Sequence, residues 1–355
     1  MTQKIPQLDA VRGIAILVVM VHNLNAFSFR PLSYLTTYGW AGVDLFFVLS
    51  GFLITGILID TKGSEAYFRN FYARRCLRIW PLYYSVLLLM FVIVPLLLPH
   101  EAPELFHKSS PWWSYLFYLQ NFLVAVPTNG VGPLGVTWSL AVEELFYFVW
   151  PFCVRFLSLT QLRLVAWSVI LFSPPLRLFL SMHHTITYSN PFCRLDGIMA
   201  GALLALLVRQ SGFQPLRFIK SAWAILCVAL PLAVVAEIHS ANWLTFSLFI
   251  MAFAALVFLA LFSMSKWLTL FLTNRYLMFT GTISYGLYLL HKLPLDALKT
   301  MHKDSHPTLA FLIAITCAYL LAILSWNLLE KPFLRLKKFF ENKAKKPAAT
   351  ALSLQ

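Results

Sequence analysis

The stretch VRGIAILVVMVHN, residues 11–23, sets a cation, Arg12, and an imidazole, His22, in one apolar run. Ionisable groups held in hydrocarbon are rare; they pair with one another, face a cavity or do chemistry. Ten helical steps separate the two residues, a rise of about 15 Å. A guanidinium at a membrane surface suits phosphate, and a neutral imidazole at depth suits proton transfer or nucleophilic attack. The plainer readings are a snorkelling arginine and an interhelical hydrogen bond from the histidine.

Five other stretches carry polar groups in apolar surroundings. GVDLFFVLSGFLIT (42–55) contains Asp44, a carboxylate that needs a partner, with His22 on the neighbouring antiparallel span as a candidate. Its Ser50-Gly51 pair reads as close helix packing. FRNFYARRCLRIWPLYY (68–84) gathers Arg69, Arg74, Arg75 and Arg78. Four arginines mark the cytoplasmic side, and their planar forks also suit phosphate. TWSLAVEELFYFVWPF (137–152) brings Trp138, Glu143 and Glu144; adjacent helical positions point about 100° apart, so one cavity uses only one of the carboxylates directly. CRLDGIMAGALLAL (193–206) opens with Arg194 and Asp196, read as a surface anchor and a helix cap. ISYGLYLLHK (283–292) sets Tyr288 and His291 three apart near one end of a span, where an aromatic belt is the simpler reading of Tyr288. Walker, HExxH, paired CxxC and GxSxG patterns are missing from the sequence, which argues against metal chemistry and ATP hydrolysis. The five cysteines lack pairing or metal spacing and read as packing residues.

The elements that position these groups follow from composition. Of 355 residues, 59% are hydrophobic and 12% charged, with a mean hydropathy of +0.73; a soluble chain carries roughly a quarter charged residues. Apolar runs near the ~20 residues of a membrane crossing recur along the chain. They do not alternate as barrel strands do. The class is therefore an all-α, polytopic transmembrane helix bundle. The net charge of +14 reads as loop lysines and arginines facing anionic lipid, not as a nucleic-acid surface.

Expected spans are 10–28, 37–59, 79–99, 134–157, 161–181, 195–210, 219–237, 243–265, 276–293 and 307–330. Basic loops at 60–78, 209–220 and 266–275, with the basic tail after Glu330, belong inside. Alternation closes with both termini cytoplasmic if 112–126 re-enters or lies at the outer interface. The first run lacks a cleavage site and reads as a retained helix. Residues 1–339 make one transmembrane domain, and 340–355 a disordered basic tail.

In order along the chain, LDAVRGIAIL…H, GVDLFFVLSGFLIT, RRCLRIWPLYY, TWSLAVEELFY, RLDGIMAGALL, ISYGLYLLH and EKPF resemble the membrane-bound acyltransferase family 3, bacterial O-acyltransferases of surface polysaccharides. The resemblance covers about residues 8–333; each piece is weak alone, and seven in register are specific. It implies ten core helices in the bacterial inner (cytoplasmic) membrane. It also implies transfer of an acyl group, commonly acetyl from acetyl-CoA, to a hydroxyl of a polysaccharide such as lipopolysaccharide O-antigen or its lipid-linked precursor. A fused periplasmic domain carried by longer relatives is absent, which implies a stand-alone form.

With the resemblance, Arg12, Arg74, Arg75 and Arg78 are expected to hold the CoA phosphates. His22 acts as base or nucleophile, and Asp44 or Glu144 orients it. Trp138, Tyr288 and His291, with the aromatics of 100–133, receive the acceptor sugar. The family signature in the first helix has ten residues between the basic residue and the histidine. Here nine intervene, so the two side chains lie about 80° apart instead of about 20°. Asn23 takes the stricter position, but an amide is neither base nor nucleophile. A transporter or flippase of a lipid-linked glycan or small anion is the rival reading; it predicts inverted repeats, and the sequence contains none. A third reading is an acyltransferase-like sensor without chemistry.

Overall fold

The computed structural model describes residues 5–23, 33–100, 110–123, 132–301 and 307–341, and every regular element among them is helical. The main helices are α1 (Pro6–Asn23), α2 (Gly42–Thr61), α3 (Tyr67–Leu88), α4 (Thr137–Phe156), α5 (Leu159–Met182), α6 (Pro191–Val208), α7 (Ile219–Ile238), α8 (Asn242–Phe262), α9 (Arg275–Thr282), α10 (Ser284–Leu290), α11 (Lys292–Met301) and α12 (Pro307–Ser325). Seven stretches of the described residues are long and apolar enough to cross a membrane, and they contain α2, α3, α5, α6, α7, α8 and α12. The other three expected spans correspond to α1, α4 and the α9–α10 pair. α1 and α4 carry Arg12 and His22, and Glu143 and Glu144, which lower their hydropathy, while α9 and α10 are two short helices interrupted at Ile283. The bundle is a polytopic membrane protein built of helices.

Glycines set the closest crossings. Gly51 of α2 lies against the Ile198 carbonyl of α6, and Gly201 of α6 lies against the Val48 carbonyl of α2, so a Cβ at either would strike backbone. This is the small-residue packing expected of Ser50-Gly51. Gly13 of α1 and Gly281 of α9 meet the Leu277 and Asp9 carbonyls in the same way. Gly39 sits over Val18 and His22, and Gly42 over Ala15 and Val19. α1 and α2 therefore run antiparallel, with the start of α2 level with the His22 end of α1.

Three expectations about element boundaries change. α3 begins at Tyr67, so the arginines expected in a loop before residue 79 lie within the helix, on its first three turns. α6 begins at Pro191, where the Asn190 side chain accepts the Phe192 N–H. Arg194 and Asp196 are thus inside the helix and buried, not an anchor and a cap; proline at the first helical position starts the helix one turn early. α1 starts at Pro6, four residues before the expected span, and His22 falls in the last turn of its described part. Residues 24–28 of that expected span lie outside the described residues.

Between α3 and α4 stand two short helices, Trp112–Leu116 and Gln120–Leu123, too short to cross. Tyr83 and Tyr84 of α3 donate to the Tyr115 and Leu116 carbonyls at 2.8 and 3.0 Å, and the Asn121 amide donates to the Trp138 carbonyl at 2.7 Å. The segment is pinned to the bundle without spanning it; residues 124–126 lie outside the described residues, as does the tail beyond Glu341.

Candidate active site

A small cavity of about 50 Å³ lies between α1, α2 and α3, with Arg12, Ser50 and Arg75 as its polar lining. Arg12 pairs with Asp9 one turn earlier on α1, at 2.6 Å. Arg75 and Arg78 are in electrostatic range of Arg12. Lys337, on the 3-10 turn Leu336–Phe340 that follows α12, is in range of Arg12, Arg74, Arg75 and Arg78. Among the described residues, none of Arg74, Arg75, Arg78 or Lys337 has a carboxylate within ion-pair distance. Five cations thus converge; Asp9 is ion-paired with Arg12, and Glu143, Glu144 and Glu330 lie in electrostatic range of Arg75 or Arg78. Such a cluster is stabilised by a polyanion.

Ser50 joins this cavity to a three-group ring. Ser50 Oγ donates to Glu143 Oε1 at 2.7 Å, Tyr147 OH donates to Glu143 Oε2 at 3.0 Å, and the two hydroxyl oxygens are 2.9 Å apart. The Arg75 guanidinium lies 5.2 Å from the centre of the Tyr147 ring. Of the two adjacent carboxylates, Glu143 is the one fixed by hydrogen bonds. Glu144 keeps a buried Oε1 without a partner among the described residues.

At the other end of α1, His22 Nδ1 lies 2.6 Å from the Thr36 carbonyl oxygen. A carbonyl only accepts, so Nδ1 carries the proton and the neutral ring leaves its lone pair on Nε2. Asn23 turns back to the Val19 carbonyl at 3.0 Å. Arg12 and His22 therefore serve different neighbours, as their nine-residue separation on a regular helix dictates.

The carboxylates expected to orient His22 do not do so. Asp44 Oδ1 takes Arg194 Nη2 at 2.7 Å, with both side chains 1% exposed. Arg194 also lies 4.1 Å from the Phe246 ring centre and 5.4 Å from those of Trp138 and Tyr188. Its neighbour Asp196 pairs with Arg177 at 2.7 Å. A buried carboxylate takes the closest buried cation, and Asp44 found an arginine from α6. Glu144 is on α4, beside Glu143 and Arg75, and makes no hydrogen bond to His22. Thr36 supplies the orienting group through its backbone.

The residues expected at the acceptor site divide. Trp138 is buried against Arg194, Phe47 and Tyr188. Tyr288 is no interfacial aromatic: its hydroxyl lies 3.0 Å from the Val136 carbonyl and 2.5 Å from Ser139 Oγ, which ties α10 to the start of α4. His291 is buried and in electrostatic range of His22. The sequence reading missed the Thr36 carbonyl, Lys337 and the Ser50–Glu143–Tyr147 ring. Only the four-residue spacing of Glu143 and Tyr147, which puts them on one helical face, was available as a signal.

The chain is similar to a Staphylococcus aureus (strain COL) protein whose name proposes it as an O-acetyltransferase, with 27% identity over 93% of this chain and 57% of that protein. It is similar also to the peptidoglycan O-acetyltransferase OatA of Listeria monocytogenes, with 27% identity over 92% of this chain and 55% of that protein. The chain thus spans somewhat over half the length of these curated relatives. No solved structure matches it. The family model described as "Acyltransferase domain" matches residues 5–327, and the chain belongs to that acyltransferase family.

Proposed function

We propose that this protein is a membrane O-acyltransferase that moves an acetyl group from acetyl-CoA onto a glycan hydroxyl at the outer face of the bacterial cytoplasmic membrane. One observation carries the reading. Along α1 lie a cluster of cations in which, among the described residues, only Arg12 has an ion-paired carboxylate and, about 15 Å away along the helix, an imidazole whose tautomer is set by the Thr36 carbonyl. That arrangement suits a donor with a phosphorylated end inside and a reactive end outside. The Listeria relative is named for peptidoglycan, which favours a cell-envelope polysaccharide as acceptor; lipopolysaccharide O-antigen and a lipid-linked precursor belong to the same chemical class.

Arg12, Arg74, Arg75, Arg78 and Lys337 hold the phosphates. His22 Nε2 takes the proton of the acceptor hydroxyl as its oxygen attacks the thioester carbonyl carbon. The new C–O bond forms, the C–S bond breaks, and the proton passes from Nε2 to the departing thiolate. The Thr36 carbonyl steadies the imidazolium through Nδ1–H, a task that a carboxylate does in other triads.

His22→Ala tests this, scored by CoA released from labelled acetyl-CoA and by glycan acetylation at matched protein level. Loss of a positioned base costs about 10²–10⁴-fold. Full activity in the variant would remove the central claim. A transporter or sensor would show no thioester turnover even in the unmodified protein.

A further inference from the structure

The chain enters α2 through a short helix, Ser33–Tyr38, and a 3-10 turn, Gly39–Ala41. Thr36, whose carbonyl oxygen lies 2.6 Å from His22 Nδ1, and Gly39 are three residues apart on this segment, and both are buried. Gly39 is where the segment meets α1 most closely. A Cβ at that position would stand 2.5 Å from the Val18 carbonyl oxygen and 2.8 Å from His22 Cβ. Carbon atoms in contact keep about 3.5–4.0 Å, so a side chain at 39 drives the two backbones apart by about 1 Å. The same shift takes the Thr36 oxygen to roughly 3.6 Å from Nδ1, beyond hydrogen-bond reach.

The next residue anchors the segment. Trp40 is buried and stands edge-on to Phe246 and Phe249 of α8, with ring centres 4.9 and 5.5 Å apart, and to Tyr188 at 6.2 Å. Aromatic pairs in this arrangement add about 0.5–1.5 kcal/mol each beyond the area they bury. The missing side chain at 39 lets the segment down onto α1, and the indole at 40 holds it there. The height of the Thr36 carbonyl above the imidazole is set by these two contacts.

Resting on the reading of His22 as the base, we propose that Gly39 and Trp40 are its positioning residues, which hold the Thr36 carbonyl against Nδ1 and so aim Nε2 at the acceptor hydroxyl. Neither touches the reacting atoms. A side chain at 39 leaves the imidazole in place on α1 but frees its ring to turn and removes the partner that keeps the proton on Nδ1.

The test is a cycle of Gly39→Ala and His22→Ala in the full chain, with CoA release and glycan acetylation scored per folded molecule. Alanine at 22 keeps its Cβ, so the strain from Gly39→Ala is the same in both backgrounds and only the ring is missing. Misplacing a reacting group by about 1 Å costs on the order of 10²-fold. We expect Gly39→Ala to lower kcat by about that factor, with KM for acetyl-CoA unchanged. In the His22→Ala background it should cost nothing further. Full kcat in Gly39→Ala overturns the assignment and leaves the reading of His22 standing. An equal loss in both backgrounds overturns it too, since that is the mark of a merely structural role. Where Gly39→Ala does not fold, Trp40→Phe decides by the same criteria. It shrinks the anchor without a clash and should lower kcat about tenfold, the worth of one weakened hydrogen bond. Full activity in His22→Ala removes the reading of His22 as the base, and this one with it.

Discussion

The Asp44–Arg194 pair separates a structural carboxylate from a catalytic one. Asp44→Asn removes one charge and leaves the Arg194 guanidinium buried at 1% exposure. Arg194 Nε and Nη1 have no other hydrogen-bond partners among the described residues, so no neighbouring carboxylate takes over. Breaking a buried pair from one side costs about 3–5 kcal/mol. The Phe246 face at 4.1 Å retains the cation and offsets on the order of 1 kcal/mol of that. The expected net loss is about 2–4 kcal/mol, a large share of a typical stability of about 5–15 kcal/mol. Removing both charges, in Asp44→Leu with Arg194→Met, leaves no uncompensated ion and should restore most of the loss. The assay is thermal unfolding in detergent, together with CoA release per folded molecule. Asp44→Asn should unfold well below the unmodified protein, and the double variant should be both folded and active. An Asp44→Asn protein of unchanged stability refutes the energetic argument. A double variant that is folded yet inactive refutes the claim that Asp44 is structural, and returns it to the role first expected of it.

Three other outcomes follow from the packing and the charges. Gly51→Ala drives a methyl into the Ile198 carbonyl of α6; by the cost of overpacking it should lose about 1–3 kcal/mol, read as a lower unfolding temperature. Lys337→Ala removes the one cation of the cluster that comes from beyond α12. It should raise KM for acetyl-CoA about fivefold, the worth of about 1 kcal/mol at a half-buried site, with kcat nearly unchanged. Tyr288→Phe loses the hydroxyl links to Val136 and Ser139 and should cost about 1 kcal/mol of stability while donor KM stays constant.

Much of the frame was legible in the chain. Hydropathy located the helices because a segment in lipid must satisfy its own backbone, and only a helix does so within one stretch. That residues 112–123 form two short helices pinned to the bundle fits the charge alternation of their neighbours. Where the reading slipped, it slipped at helix starts. α3 begins at Tyr67 with its arginines already inside the helix, and hydropathy cannot see a helical turn made of cations. The Arg194 error has the same source: burial in a bundle depends on what packs opposite, and a charge looks exposed until its partner is known.

The sequence by itself determined the class, the spans and the residue types available for chemistry, because each depends on local composition and on the period of a single helix. Which of those groups meet was decided only by tertiary structure. Ser50 and Glu143 are 93 residues apart, and Asp44 and Arg194 are 150 apart. A helix fixes the directions of its side chains, but the partner that each finds depends on how the helices cross. At these crossings, glycines at 13, 51, 201 and 281 let backbones touch. That contact sent Asp44 to an arginine and left His22 to a backbone carbonyl.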